Sequence, residues 1–250
     1  MSLQSLTSPP SPLRLQVLGN FEIAFDAETH HVSVPGQRLL AYLAVAHRGR
    51  PVQRAALAER LWPDVPPGRA SSSLRSVLWR LPRPRGRQLV GSTAAAVRLS
   101  DGLRVDLWEA ENQARRIASE QVPPGELLAD MTPLTRDLLP EWHDEWLAVQ
   151  QESYRQKRLH ALERAAKLLC ERGSYTDALA ASFVAVQSEP LRESAHRRVI
   201  EVHLAEGNHA EALRQYHFYR TLMSAELGLA PSPSIRGLVA PLLGRPVDFR

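Results

Sequence analysis

The sequence predicts a mainly α protein with a small β part, arranged as two domains: an antiparallel sheet, three helices and a hairpin, then an all-α domain. Three observations carry this. Apolar and polar residues alternate at both ends of residues 13–107 but recur at helical spacing between them. From Asp106 nearly to the C-terminus the spacing is helical. Within that stretch GSYTDAL (173–179) returns 34 residues later as GNHAEAL (207–213).

Taken in order, residues 1–12 (MSLQSLTSPPSP) lack a basic segment followed by an apolar run, and read as a disordered tail rather than a leader. LRLQVLG (13–19) and FEIAF (21–25) alternate as strands do, and VSV (32–34) is a shorter run of the same kind. QRLLAYLAVAHRG (37–49) takes helical spacing through Leu39, Leu40 and Leu43 and stops at Gly49. VQRAALAERLW (52–62) is a second helix, ended by Pro63, and RASSSLRSVLWRL (69–81) a third, ended by Pro82. Residues 95–107 alternate about Asp101-Gly102, which predicts a hairpin there. Sheet, three helices and hairpin over 13–109 is the order of a winged helix-turn-helix.

After residue 110 the helical pattern is broken at VPPGE (122–126) and LLPEW (138–142), and one long helix is expected from near Glu141 to Arg172. Trp142 and Trp146, at i and i+4, would share a face and staple the core. The repeat fits a tetratricopeptide pattern: Gly lets two helices turn and Ala lets them approach. Tyr175, Ala178, Ala185 and Pro190 fit it in the first copy. The second keeps Gly207, Ala212 and Tyr216 but has Tyr219 and Ser224 in place of Ala185 and Pro190. So short an array reads as a folded support.

Charge divides the chain the same way. Residues 1–110 hold 14 Arg and 8 acidic residues, net +6, and residues 111–250 hold 17 basic and 19 acidic, net −2. Within 36–98 there are 12 Arg, no Lys, and only Glu59 and Asp64 against them. Such a concentration of guanidinium suits a polyanion, since its fork matches phosphate and guanine edges.

The third helix concentrates the chemistry. With Ala70, Leu74, Val77, Leu78 and Leu81 turned inward, Arg69, Ser72, Arg75, Ser76, Trp79 and Arg83 fall on or near the opposite face, flanked by Ser71 and Arg80. A major groove admits one such helix: short Ser side chains allow close approach and Arg75 reads guanine or grips phosphate. Unpaired N–H groups near Arg69 and Ala70 would add a phosphate site. Arg83, Arg85 and Arg87 would stand at the base of the wing, with Arg98 on it, and Trp79 would brace it. The bland alternative, an ordinary solvated helix face, does not account for the PRPRGR run that follows (82–87).

Other classes find little support. Cys170 is the only cysteine, so no intrachain disulfide forms; it reads as a core residue of a protein in a reducing, cytoplasmic compartment. No stretch is apolar enough to span a membrane. The nine His show no HExxH or Cys-His metal spacing, and G-x-S-x-G is absent, so neither an enzyme nor a cofactor is expected. His196 and His203, at i and i+7, read as packing or solvated residues. The remaining rival is a helical ligand sensor or scaffold with an accessory basic domain.

LRLQVLGNFEI, GQRLLAYLAV, RAALAERLWPD and SSLRSVLWRL, followed by DLLPEWHDEW, RLHALERAA, EPLRESAHRRVIEVHLAEGNHAEALRQY and ELGLAPSPSIRGL, resemble the Streptomyces antibiotic regulatory protein family over roughly residues 13–243. The resemblance implies an OmpR-like winged helix-turn-helix at 13–109 and a bacterial transcriptional activation domain at 110–250. It implies an activator of secondary-metabolite (antibiotic) gene clusters. Such a protein would bind direct repeats in double-stranded promoter DNA as a homodimer or tandem protomers, contact RNA polymerase and its sigma factor, and associate with the nucleoid. Two departures stand out. Ala95-Ala96-Val97 replaces the family's Gly-Gly-Tyr in the wing, and Ser71-Ser72-Ser73 opens the recognition helix, which points to a different target sequence. The chain has no G-x-x-x-x-G-K-[ST], so no nucleotide-hydrolysing step is implied.

Overall fold

The computed structural model describes residues 12–26, 28–119, 122 and 130–244. The tail expected over 1–12 lies, except for Pro12, outside the described residues, as does most of the expected break at 122–126. The fold is mainly α with a small β part. By contacts the chain forms two compact units, Met1–Ala110 with Arg136–Tyr154, and Glu111–Thr135 with Arg155–Arg250.

The first unit opens with β1 (Leu13–Gln16), β2 (Glu22–Phe25) and β3 (Glu28–Thr29). VSV is not a strand: Ser33 stands in extended conformation just before α1 (Val34–Val45), and Pro35 in its first turn presets the helical φ. A two-residue strand β4 (Val52–Gln53) precedes α2 (Arg54–Leu61), and α3 runs Pro67–Arg80. Then come β5 (Val90–Ser92), β6 (Ala96–Leu99), β7 (Leu103–Val105) and α4 (Asp106–Ala118). The expected hairpin about Asp101-Gly102 does not form. β6 pairs with β5 and β4, whereas β7 crosses to lie parallel to β1, giving two sheets ordered β3-β2-β1-β7 and β4-β6-β5. The wing hairpin is therefore β5–β6, tipped by residues 93–95. Long-range pairing decided this: Leu13 and Leu15 meet Leu103 and Val105 and bury them, which no local turn signal encodes. Asp106 fastens the junction, accepting the N–H groups of Val17 at 2.9 Å and Leu18 at 3.0 Å. Burial pushes its carboxyl up, and those backbone donors oppose the push.

Residues 136–154, assigned from sequence to the helical domain, pack in this first unit. Trp142 stacks on Phe21 at 6.0 Å, Trp146 meets Tyr42 edge-on at 4.9 Å, and Arg38 holds Asp144 at 2.5 Å. Trp146 is buried in the core as expected, whereas Trp142 is only half-buried against a half-buried Phe21, and the two do not share a helical face, because α6 (Glu145–Glu171) starts after Trp142 and follows α5 (Thr132–Thr135).

In the second unit the rest of α6 (Glu145–Glu171) and α7 (Tyr175–Ser188) form one copy of the repeat, and α8 (Glu193–Glu206) and α9 (His209–Leu227) the next, followed by α10 (Pro233–Leu243). Gly173 and Gly207 sit at φ +77° and +83°, the left-handed region where a side chain is strained. Each turn closes with the same bond, Ser174 N–H to Leu169 O at 2.9 Å and Asn208 N–H to His203 O at 2.8 Å. Ala178 and Ala212 are fully buried. Tyr219, where the first copy has Ala185, fits because it stacks at 4.4 Å on the buried His196, itself fixed by Pro190 O and Gln215 Nε2, each at 2.8 Å. His203 is also buried, so both histidines pack rather than face solvent. Cys170 is only half-buried, and burial pushes its thiol up.

Candidate nucleic-acid interface

Helix α3 shows the inward face that its spacing predicts: Ala70, Leu74 and Val77 are buried, with Leu81 just beyond its end. Arg69, Ser71, Ser72, Arg75, Ser76 and Arg80 are all exposed on it. Ser72 Oγ donates to Gly68 O at 2.9 Å and accepts from Arg75 Nη2 at 3.0 Å, which lays the arginine back along the helix surface. The expected anion site at Arg69 and Ala70 is not there. The helix starts two residues earlier, at Pro67, and both N–H groups already donate to Pro66 O at 2.9 and 3.0 Å.

Between α3 and the wing runs an open cleft of about 330 Å³, lined by Arg54, Arg75, Trp79, Arg83 and Ser92 over a floor that includes Leu89. Arg54 was missed by the sequence reading. It opens α2, its N–H donates to Ala95 O at 2.8 Å, and its Nη1 donates to Ser92 Oγ at 2.6 Å, tying the helix to the wing tip. No local pattern announces this contact, because Ser92 lies 38 residues on. The tip is shaped by Thr93, whose Oγ1 accepts the N–H groups of Ala95 and Ala96 at 3.3 and 3.0 Å. Among the described residues Arg54, Arg75 and Arg83 have no carboxylate partner, so the cleft is a concentration of uncompensated positive charge.

The other expected wing residues are placed differently. Arg85 and Arg87 do not stand at the wing base: both lie over the Phe25 ring, 5.5 and 5.2 Å from its centre, and Arg85 pairs with Asp26 at 2.7 Å. The short 3-10 turn Pro84–Gly86, with Arg85 at φ +44°, carries them to the first sheet. Arg98 is exposed on β6, but Asp101 neutralises it through two bonds of 2.5 and 2.8 Å. Trp79 does not brace the wing, since 79% of it is exposed. Among the described residues no three His, Cys, Asp or Glu side chains gather where they could hold a metal ion, and no helix is long and apolar enough to cross a membrane.

The bacterial transcriptional activator domain model matches residues 124–243. Over 90% of its length the chain is 30% identical to the regulatory protein AfsR of Streptomyces coelicolor, of which it spans 24%. Over 94% it is 24% identical to the transcriptional regulatory protein EmbR of Mycobacterium tuberculosis, of which it spans 64%. The fold matches a solved structure of EmbR in complex with a low-affinity phosphopeptide, with a TM-score of 0.70 at 22% identity, over 95% of this chain and 66% of that one. The chain thus spans about a quarter of the AfsR relative and under two thirds of EmbR. Domain match and relatives agree that the chain is similar to transcriptional regulators of the Streptomyces antibiotic regulatory protein type, and its fold matches that of EmbR.

Proposed function

We propose that this protein is a sequence-specific, DNA-binding transcriptional activator, with α3 entering the major groove and the wing lying over the adjacent backbone. The observation that carries the reading is the cleft of Arg54, Arg75 and Arg83 beside an exposed, polar α3, with no carboxylate among the described residues to offset it. Base edges are read by side chains on such a helix, whereas phosphates are gripped by cations around it. Arg75 is the candidate base reader; Arg54 and Arg83 are phosphate contacts. Residues up to about 110 find the promoter. The helical repeats hold tandem protomers in register on direct repeats and present a surface to RNA polymerase and its sigma factor. The regulated genes are a secondary-metabolite cluster, and the protein works in the cytoplasm at the nucleoid. Footprinting on promoters beside its own gene tests this. Paired protections one helical turn apart are expected, with affinity falling about 12-fold between 50 and 200 mM salt if the two phosphates are neutralised. Affinity independent of salt would sink the phosphate contacts.

A further inference from the structure

Trp79 contributes little to the fold, being 79% exposed on a helix that already buries Ala70, Leu74 and Val77. Its surroundings are cationic. Arg75 stands one turn before it, Arg83 lies just past the end of the helix, Arg54 lines the same cleft, and no acidic residue occurs between Asp64 and Asp101. Such a setting matches a duplex, whose phosphates would engage Arg54 and Arg83 while Arg75 and the indole meet the base edges between them.

We propose, resting on the DNA-binding reading above, that Trp79 is a specificity-determining residue that packs on the 5-methyl group of a thymine in the major groove. That methyl is the apolar group that distinguishes one base pair from the rest there, and an indole is a broad apolar face with a single donor. Four residues along a helix advance it by about 6 Å, so Trp79 reaches one or two base pairs beyond the position contacted by Arg75. The Ser-rich start of α3 brings the helix close, and Trp79 supplies the contact that those short side chains do not.

Selection of binding sites from a random duplex pool, using the full chain, tests the assignment. The wild-type protein is expected to select a T·A pair one or two positions from the base pair whose preference Arg75→Ala abolishes. Trp79→Ala loses that one preference, keeps the rest of the motif, and binds the selected site about tenfold more weakly. Replacing that thymine by uracil removes the methyl alone, and costs the wild type about fourfold and Trp79→Ala nothing. Trp79→Phe retains most of the preference. Thermal midpoints of both variants match the wild type, because the side chain is exposed. Identical motifs and affinities for wild type and Trp79→Ala overturn the proposal; if promoter activation alone then falls, Trp79 contacts a protein instead. A wild-type protein that selects no DNA overturns the DNA-binding reading, and this assignment with it.

Discussion

In the first unit Arg54, Arg75 and Arg83 converge on a cleft open to water with no carboxylate partner among the described residues, whereas in the second unit Arg155, Arg192, Arg198 and Arg214 each pair with a glutamate: Glu189, Glu163, Glu201 and Glu211. One residue type therefore does opposite work in the two units. Paired on a surface, a guanidinium contributes at most about 1 kcal/mol and leaves little field. Unpaired and clustered, it raises a positive potential that attracts polyanions and costs stability through self-repulsion. The net charges of +6 and −2 measured along the chain are the coarse trace of this difference; whether a given arginine has a partner is its fine structure.

The comparison breaks first at Arg158, the buried extreme. It is wholly enclosed in the second unit, with Nη1 donating to Leu134 O at 3.3 Å and to Ser188 Oγ at 2.8 Å. Arg158→Ala leaves those acceptors dry beside a cavity, and is expected to lower unfolding free energy by about 3 kcal/mol or more in denaturant titrations. A loss under about 1 kcal/mol would show that water replaces the side chain. Arg75→Ala is the opposite case. Thermal stability should not move, whereas affinity for the selected site should fall by about 1–3 kcal/mol, well beyond the loss on random duplex. Equal losses on both would demote Arg75 to a phosphate grip.

Asp101→Asn sharpens the contrast by turning a paired arginine into an unpaired one. Freed from the carboxylate charge that its two bonds now engage, Arg98 should strengthen non-specific DNA binding a few-fold and steepen the salt dependence by about one counterion. An unchanged slope would place Arg98 off the DNA path. The smallest effect is expected at His196, whose burial holds its pKa below 6.5, with the bond to Pro190 opposing. Between that lowered value and 6.5 the unfolded chain binds more protons than the folded one, so stability is full above 6.5 and declines as pH falls through the window. Thermal midpoints between pH 7.5 and 5.5 should show the decline, and His196→Gln should flatten it.

Helix α3 was legible because a 3.6-residue period separates its two faces, and nothing in the fold overrides that pattern at Ala70, Leu74 and Val77. The turn glycines of the repeat were legible for a similar reason, since a left-handed φ at Gly173 and Gly207 is a local demand. The wing was not. Alternation identified 95–107 as strands, but β6 pairs back with β5 just before it, and β7 pairs with β1, whose apolar residues lie about ninety positions away. VSV carried a strand-like composition that Pro35 and the α1 core overrode. Arg158 sits in the polar run RQKR, with no sign in sequence that it is enclosed. Likewise, 100° per residue put Trp79 and Arg75 on one face, but not which arginines have acidic partners.

The sequence by itself determined the fold class, the order of the helices, the basic character of the first hundred residues and the exposed face of α3, because periodicity and charge are local quantities that survive folding. The tertiary structure alone decided that Arg54 joins Arg75 and Arg83 in one cleft, that Arg85, Arg87 and Arg98 are drawn off to Phe25, Asp26 and Asp101, and that residues 136–154 pack in the first unit. Each of these turns on which side chains share a few ångströms of space, and bonds such as that between Arg54 and Ser92 join residues far apart in the chain.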